Sequence, residues 1–207
     1  MIRLLHALTF CMILGGLTPA GLAQVPVSAP APAPAPAPAS APASGNAAGA
    51  SEERVKAAFL LRFIGYVEWP ASAFARPDSP YIVGVLDADY IANELAALSA
   101  GRMLGSRPVM IKRLQGRDSL SGLHALFIGA AGAGRLAQSI RSVPQQPTLV
   151  VTESEGALSA GTMINFRIVD NRVRFDVALE PAERSGLKIN SRMLGVALSV
   201  IKGQPQQ

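Results

Sequence analysis

Cysteine and histidine are almost missing from this chain of 207 residues, which has one cysteine, Cys11, and two histidines, one of them His124. Cys11 lies in an apolar N-terminal segment that we expect to be removed. A mature chain without cysteine can form no disulfide and offers no thiolate for catalysis or metal binding. A single remaining histidine also argues against a zinc or iron site with the usual ligands. We therefore predict no metal and no cofactor.

Charged residues are scarce as well, at 16% of the chain against 49% hydrophobic residues, with a formal net charge of +5. Disorder throughout is excluded, because so apolar a chain can bury enough surface to offset its ordering entropy. A basic chain raises the prospect of nucleic acid binding. Export would remove that partner, so the charge is better suited to ion pairs, an acidic protein surface or anionic lipid.

The N-terminus has the pattern of a secretory signal. Arg3 supplies the positive start, an apolar run follows, and Gly21-Leu22-Ala23 forms a small-x-small cleavage site. We expect residues 1–23 to be a signal peptide cleaved near Ala23 and the protein to be periplasmic. The alternative, an uncleaved membrane anchor, is weakened by Pro19 and Gly21, which interrupt the run.

Residues 24–50 are rich in alanine and proline. Alternating proline favours extended polyproline II, so this disordered linker could reach about 80 Å. The folding unit is then residues 51–207, the size of one ordinary domain. Ser51 followed by Glu52 and Glu53 predicts a helix N-terminus at Ser51.

Strands and helices alternate through most of this domain. Apolar periodicity predicts strands at residues 81–86, 108–114, 124–128 and 148–152, and helices at residues 51–66, 87–98 and 134–143. This order predicts the α/β class, a single-domain sandwich with a mostly parallel central sheet and helices on both faces. A short helical turn at residues 180–185 and a terminal helix from Ser191 to about Ile201 complete the prediction.

A C-terminal antiparallel hairpin is predicted at residues 162–179, because Asp170-Asn171 suits a tight two-residue turn. The turn sets the register, with Arg167 opposite Arg174. One face should be buried; it comprises Ile164, Phe166, Ile168, Val173, Phe175 and Val177. The other face should be solvated; it comprises Asn165, Arg167, Arg172, Arg174 and Asp176.

Few residues suggest catalysis. His124 stands at the mouth of a strand, where a hydrogen-bonded structural role is commoner than that of a base. The segment Gly129-Ala130-Ala131-Gly132-Ala133-Gly134 follows a strand and precedes a helix, but its glycine spacing departs from the dinucleotide fingerprint. A close-packed turn is the ordinary explanation, although an anion could still bind at the helix N-terminus.

Arg167 and Arg174 place like charges opposite each other, which is destabilising unless a negative group lies near; Asp176 and Glu180 are the internal candidates. A solvated face with local ion pairs is the default interpretation, and a partner-binding patch is the alternative. Trp69, the single tryptophan, is either a core plug at a helix end or an interface anchor.

Several motifs, taken in order, resemble the YfiR family of periplasmic proteins over about residues 53–202. They are Val55-Lys56-Ala57-Ala58-Phe59-Leu60 with Phe63, Val67-Glu68-Trp69-Pro70, Ile82-Val83-Gly84-Val85-Leu86, His124-Ala125-Leu126-Phe127-Ile128, Gly161-Thr162-Met163-Ile164-Asn165-Phe166, Arg172-Val173-Arg174-Phe175-Asp176-Val177 and Gly186-Leu187-Lys188-Ile189-Asn190-Ser191-Arg192-Met193-Leu194.

This resemblance implies a repressor and not an enzyme. The family's best-known arrangement is a periplasmic protein that binds the periplasmic domain of an inner-membrane diguanylate cyclase, which lowers cyclic di-GMP and biofilm formation. The implied partner is that domain, contact with the membrane runs only through it, and a homodimer remains open. Some members carry cysteine pairs that make repression redox-sensitive, and this chain departs from them.

We expect the partner-binding residues to be Trp69, Arg167, Arg172, Arg174 and Asp176. The rival hypothesis is a periplasmic small-ligand-binding protein that uses the carboxyl ends of the parallel strands, where α/β sheets generally form clefts. An accessory to a sensor kinase or a transporter also stays open, and an enzyme ranks third.

Overall fold

The computed structural model of the protein describes residues 44–116, 118–143 and 146–203. The expected signal peptide of residues 1–23, and the expected linker up to residue 43, lie outside this range. The helices are α1 (Ser44–Tyr66), α2 (Asp89–Ser99), α3 (Leu136–Ser142), α4 (Leu179–Arg184) and α5 (Ser191–Leu194). The strands are β1 (Val67–Glu68), β2 (Tyr81–Leu86), β3 (Met103–Leu104), β4 (Arg107–Leu114), β5 (Ala125–Ile128), β6 (Leu149–Thr152), β7 (Ile164–Val169), β8 (Arg172–Ala178), β9 (Lys188–Ile189) and β10 (Ser199–Ile201).

Eight of these strands form one sheet in the order β10-β8-β7-β6-β5-β2-β4-β3. The central strands β4, β2, β5, β6 and β7 run parallel, while β8 is antiparallel to β7 and β3 is antiparallel to β4. Strands β1 and β9 pair separately as a short antiparallel ribbon. The predicted α/β class, with a mostly parallel sheet and a C-terminal hairpin, is confirmed.

Apolar side chains cover both faces of the sheet. On one face, Phe63 and Ile64 of α1 and Ile91 of α2 pack over the strands in the larger buried cluster. On the other face, Leu136 of α3 joins a smaller buried cluster with Val150 of β6. Strands β5 and β6 are buried along their whole length, as expected for parallel strands covered on both sides. Helices on both faces are therefore confirmed.

Helix α1 begins earlier than the sequence predicts. It starts at Ser44, so Ser51 lies inside it and is not its N-cap, and the last seven residues of the expected linker are helical. Two other helices begin later than predicted. Asp87 has a positive φ of 54°, which a helix excludes, so α2 starts at Asp89. Helix α3 starts at Leu136 because a 3₁₀ segment, Ala130–Arg135, precedes it.

The hairpin has the predicted register at all six positions, from Val169 opposite Arg172 to Ile164 opposite Val177. Asp170 and Asn171 have φ angles of 49° and 55°, the left-handed values that a tight hairpin turn requires. Both residue types tolerate this conformation because their short polar side chains bond locally.

The two faces of the hairpin differ from the prediction near each end. Ile168 was expected in the core, but it is 47% exposed, because the hairpin extends past the helices that cover its base. Asn165 and Asp176 were expected on a solvated face, yet they are only 7% and 6% exposed. They lie opposite each other at the hairpin's base, beside β6.

The predicted terminal helix at residues 191–201 is wrong. Helix α5 ends at Leu194, followed by Gly195, and Ser199–Ile201 forms strand β10 parallel to β8. The amide of Leu198 already donates to the carbonyl of Phe175. The apolar spacing of these residues fits a helix. The free edge of β8, however, offers backbone hydrogen-bond partners, and an apolar pattern in the sequence does not reveal them.

Candidate functional site

The hairpin turn lies at the carboxyl edge of the parallel sheet. Strand β7 runs parallel to β6, so β7 ends, at Val169, on the same edge of the sheet as β6. At the base, Phe166 and Phe175 pack against the Phe63 ring, with centroid distances of 5.6 and 4.7 Å. This aromatic packing fixes the base of the hairpin to α1 and holds the distal residues in a set position.

The arginines of the hairpin are exposed, and only one of them is paired within the described residues. A guanidinium nitrogen of Arg167, Nη1, lies 3.4 Å from Oδ2 of Asp176. Arg172 and Arg174 are exposed and form no ion pair with any described carboxylate. Glu180, the other candidate partner, pairs with Arg184 on α4. Two positive charges on the hairpin are therefore left to solvent or to an external acid.

A cleft of about 580 Å³ lies beside this base, between the segment that follows β6 and the strands β7, β8 and β10. Three buried oxygens of its lining residues have no hydrogen-bond partner among the described residues: Ser154 Oγ, Asn165 Oδ1 and Asp176 Oδ1. Buried polar atoms are nearly always paired with protein or with ordered water. These three oxygens lie beneath the wall of the cleft, closed off from solvent.

A buried ion pair adjoins the cleft. Nζ of Lys56 donates to Oε2 of Glu153 at 2.6 Å, and both side chains are more than nine-tenths buried. Oε1 of Glu153 accepts from the Tyr90 hydroxyl and from the amide of Ala130, the latter at 3.0 Å. Glu52 also pairs with Lys56 one helical turn away.

These contacts shift the pKa values of the pair in favour of the charged forms. Burial alone would raise the pKa of Glu153, but the Lys56, Tyr90 and Ala130 hydrogen bonds outweigh it and lower that pKa. Burial alone would lower the pKa of Lys56, and its hydrogen bonds to Glu153 and Glu52 raise it. The ion pair thus ties α1 to the end of β6.

The glycine-rich segment is a packed turn. A Cβ added at Gly129 would lie 2.5 Å from the carbonyl oxygen of Asp87, and one at Gly132 would lie 3.0 Å from a methyl of Ile128. The amide of Gly129 donates to the carbonyl of Leu86, and the next amide, that of Ala130, is bonded to the Glu153 carboxylate. This supports the close-packing interpretation and leaves that amide committed to an internal carboxylate.

Trp69 lies at the opposite edge of the sheet, where β2 and β5 begin. Its indole N–H donates to the carbonyl of Ile64 at 3.1 Å, and its ring packs against Phe74, Tyr81 and His124. It is half-buried against the larger core cluster. The structure therefore does not bring Trp69 together with the hairpin arginines.

His124 is fully hydrogen-bonded inside this aromatic cluster. Its Nδ1 accepts from the amide of Ile82 at 3.1 Å, and its Nε2 donates to the carbonyl of Ala73 at 3.0 Å. Burial, with a smaller effect of the Arg107 charge, lowers its pKa below 6.5. Both ring nitrogens are occupied, which supports a structural role for the neutral imidazole.

Sequence reasoning missed Lys56, Ser154 and Glu153 as a group. Lys56 and Glu153 are 97 residues apart, so no local pattern joins them. One signal existed: Glu153 and Ser154 directly follow a buried parallel strand, and parallel sheets bind ligands at that edge. Polar residues directly after a buried parallel strand, and not the arginine pattern, are the sequence feature that points to the cleft.

Within the described ranges, no group of three or more histidine, cysteine, aspartate or glutamate residues could hold a metal ion. No helix in the part of the chain that the structure covers is long and apolar enough to cross a membrane.

No curated protein matches the chain in sequence. A family model does match: the YfiR/HmsC-like family covers residues 53–198, from α1 to the residue before β10. The matched span includes the ion pair, the hairpin and all the lining residues of the cleft except Ile201. The chain therefore belongs to the YfiR/HmsC-like family, whose members are periplasmic regulators of the diguanylate cyclase pathway.

Proposed function

We propose that this protein represses an inner-membrane diguanylate cyclase by binding its periplasmic domain, which lowers cyclic di-GMP and biofilm formation. Family membership supports the pathway. The observation that carries the mode of action is the pair of exposed arginines, Arg172 and Arg174, that stand on a fixed hairpin without an ion-pair partner among the described residues.

In this proposal the hairpin recognises an acidic surface of the cyclase. Arg172 and Arg174 reach the partner's carboxylates, and Arg167 contributes the third positive charge. The carboxylate of Asp176 positions Arg167, because its Oδ2 lies 3.4 Å from Nη1 of the arginine. Guanidinium groups suit this task because they bind carboxylates through two parallel hydrogen bonds.

The fixed base of the hairpin reduces the ordering cost of binding. Its aromatic rings are packed against α1, so little backbone freedom is lost when a partner docks. Ile168 is exposed as well, but its side chain lies on the opposite face of the hairpin from Arg167 and Arg174. The charged patch suits recognition of an acidic partner, because charge complementarity supplies specificity and speeds association.

Trp69 is a separate component of the proposal. It stands at the other edge of the sheet, so one partner surface would have to span the domain to touch both. We therefore place recognition on the hairpin and test Trp69 independently. A Trp69→Phe variant that binds the cyclase normally would assign Trp69 to packing alone.

Repression requires differential binding. The protein shifts the cyclase only as far as it prefers the inactive conformation, and a shift from 1:99 to 99:1 needs a preference of about 10⁴-fold. Release needs a signal other than thiol oxidation, because Cys11 is the chain's one cysteine and lies in the segment that we propose is cleaved. Residues 1–23 would direct export, and residues 24–43 would tether the domain.

Charge reversal on the hairpin tests the proposal. We expect Arg174→Glu to weaken co-purification with the cyclase's periplasmic domain by at least about tenfold and to raise cellular cyclic di-GMP. The wild-type interaction should also weaken as salt is added, because exposed charges are screened. The melting temperature should stay nearly unchanged, since Arg174 is exposed.

Arg102→Glu is the matched control. Arg102 is also exposed and outside the ion pairs of the described residues, but it follows α2 and lies just before β3, at the far end of the sheet. It makes the same change of net charge away from the hairpin. Equal loss of binding in both variants, or none in Arg174→Glu, would remove the hairpin from the interface.

A further inference from the structure

The outer edge of β4 is only partly covered by its neighbour in the sheet. Strand β4 has eight residues, and β3, which ends the sheet on that side, has two. Met103 and Leu104 of β3 pair with Pro108 and Arg107, the first two residues of β4. Along the rest of β4, up to Leu114, no described strand lies beside that edge. Such an edge carries unpaired backbone donors and acceptors that another strand can use.

The β3–β4 register shows which residues carry those free groups. Pro108 has no N–H, so it cannot exchange two hydrogen bonds with Met103. Arg107 therefore belongs to the hydrogen-bonded pair, because the two kinds of pair alternate along an antiparallel ladder. Every second residue of a strand turns its backbone groups to the same side. The N–H and C=O groups of Ile111 and Arg113 thus point outward, to the side on which Arg107 meets β3.

The pairing of β2 gives the same result independently. The carbonyls of Ile82 and Leu86 accept from amides on the β5 side, so Val83, which alternates with them, faces β4. Its partner in the register is Ile111. In a parallel ladder a residue bonds to the two neighbours of its partner and not to the partner itself, so Ile111 turns outward. Outside the strand ladders, no backbone hydrogen bond of the described residues involves Ile111 or Arg113.

Side chains beside this free edge are cationic at one end and apolar at the other. Lys112 and Arg113 are exposed and form no ion pair with a described carboxylate; Arg113 bonds the neutral amide of Asn93. Met110, on the same face as Lys112, is 57% exposed, and Met103 across the hairpin is 53% exposed. Lysine at an edge discourages strand pairing. Two exposed methionines do not serve that purpose, and methionine suits adaptable binding surfaces.

We propose that the free edge of β4 binds an extended acidic segment of another protein, which adds to the sheet as an antiparallel strand. Ile111 and Arg113 each exchange two backbone hydrogen bonds with it, and its acidic side chains pair with Lys112 and Arg113. A second copy of the chain fits less well, because it brings the same cations to the edge. Residues 24–50 also fit less well, because they contain no acidic residue. This inference does not depend on the proposed repression.

The pentapeptide acetyl-Thr-Glu-Glu-Val-Val-amide, added to the exported product of the full-length chain, tests the edge. In an antiparallel register its glutamates lie opposite Arg113 and Lys112, and its first valine lies opposite Ile111. We expect saturable binding in an NMR titration with a Kd below about 1 mM, and at least about tenfold weaker binding of acetyl-Thr-Lys-Lys-Val-Val-amide. Amide hydrogen exchange should slow at Ile111 and Arg113 and stay unchanged at Met110 and Lys112, which bond to β2 in either state.

Two N-methylated peptides separate strand addition from charge attraction alone. Methylation of the first valine removes the N–H that donates to the Ile111 carbonyl, so binding should weaken at least about tenfold. Methylation of the second glutamate removes an N–H that points away from β4, so binding should change less than about threefold.

A pair of variants locates the binding. Lys112→Glu should weaken binding of the glutamate peptide at least about tenfold while the melting temperature stays nearly unchanged, because Lys112 is exposed. Arg174→Glu is the matched control, since Arg174 is also exposed but lies on β8, far along the sheet from β4. It should leave the Kd unchanged. This control also separates the inference from the proposed repression, in which Arg174 contacts the cyclase.

The inference fails if the glutamate peptide does not bind with a Kd below about 1 mM, or if the lysine peptide binds as tightly. It also fails if the two methylated peptides bind alike, or if Lys112→Glu binds as tightly as Arg174→Glu. Slow exchange of the Ile111 and Arg113 amides in the free protein would overturn it as well. Protection that rises with protein concentration would identify a second copy as the occupant, and protection independent of concentration would identify a segment of the same chain.

Discussion

At the amino edge of the parallel sheet, four aromatic rings enclose polar groups that are already paired, whereas the carboxyl edge gathers buried charges, unpartnered oxygens and exposed arginines. The amino edge commits both nitrogens of His124 and the indole N–H of Trp69 to backbone atoms. Arg107 is held there too, over the Phe74 ring and bonded to the Ser79 carbonyl. Nothing polar among these groups is left for a ligand.

The carboxyl edge has the opposite arrangement. Its ion pair is internal, but Ser154, Asn165 and Asp176 keep unpartnered oxygens and Arg172 and Arg174 keep unpaired charges, within the described residues. Burying an unpaired polar group lowers stability by about 1–3 kcal/mol. Three such groups lie at the carboxyl edge and none in the aromatic cluster, so the two edges differ in how completely their polar groups are paired. The predictions below test this division, from the largest effect to the smallest.

Breaking the buried ion pair should have the largest effect. Lys56→Met leaves the Glu153 carboxylate buried with only the Tyr90 hydroxyl and the Ala130 amide as donors. We expect the free energy of unfolding in urea to fall by about 3 kcal/mol near neutral pH. The loss should shrink toward acid pH, because protonating Glu153 removes its uncompensated charge.

Lys56→Met/Glu153→Gln is the control for that prediction. The glutamine can still accept from Ala130 and Tyr90 but carries no charge, so it should recover most of the lost stability. In the wild type, the lowered pKa of Glu153 gives stability that is lost as pH falls through it, and the raised pKa of Lys56 gives stability that is lost as pH rises through it. A Lys56→Met loss below about 1 kcal/mol would contradict the role of this pair.

The glycine-rich segment should show a smaller effect that separates packing from ligand binding. Gly129→Ala would place a Cβ 2.5 Å from the backbone oxygen of Asp87, which cannot move cheaply. We expect a loss of about 2 kcal/mol in the free energy of unfolding. At Gly134 an added Cβ would meet nothing within 4 Å, so Gly134→Ala should change stability by less than about 0.5 kcal/mol. Equal effects of the two variants would refute the packing interpretation.

The sequence was most informative where a local rule determines geometry. The Asp170-Asn171 turn fixes the hairpin register, because each residue then has a set partner, and every pair is as predicted. The parallel strands were readable for a similar reason, since strands covered on both faces are continuously apolar. Burial was less readable. Ile168 alternates correctly with Phe166, yet no helix covers it, and periodicity does not show where a covering layer stops.

Long-range features were out of reach for a single sequence. The Lys56–Glu153 pair depends on which helix packs over which strand end. The last strand, β10, depends on a free edge at β8, and residues 191–201 taken alone resemble a helix. The candidate cleft combines both problems, because its lining comes from α1, from the segment after β6 and from β7, β8 and β10. The hairpin arginines were visible in sequence; the oxygens beneath them were not.

The smallest expected effect lies at the amino edge and concerns pH. His124 is buried in its neutral form; burial, aided by the Arg107 charge, lowers its pKa from 6.5 and outweighs the hydrogen bond to the Ala73 carbonyl, which would raise it. The unfolded chain therefore binds a proton at higher pH than the folded one, and stability falls as pH drops through 6.5 toward the folded value. Of the described groups whose pKa the fold shifts, only His124 ordinarily titrates between pH 5.5 and 7.5.

We accordingly expect the midpoint of urea unfolding to be lower at pH 5.5 than at pH 7.5. These two pH values lie roughly one unit below and above the ordinary histidine pKa. His124→Asn keeps an acceptor for the Ile82 amide but does not titrate, so its midpoint should be lower at both pH values and should change less between them. The Asn165→Leu variant at the other edge should retain the full wild-type pH dependence. If His124→Asn shows the same dependence as the wild type, the titrating group lies elsewhere and the aromatic cluster is not the pH-sensitive edge.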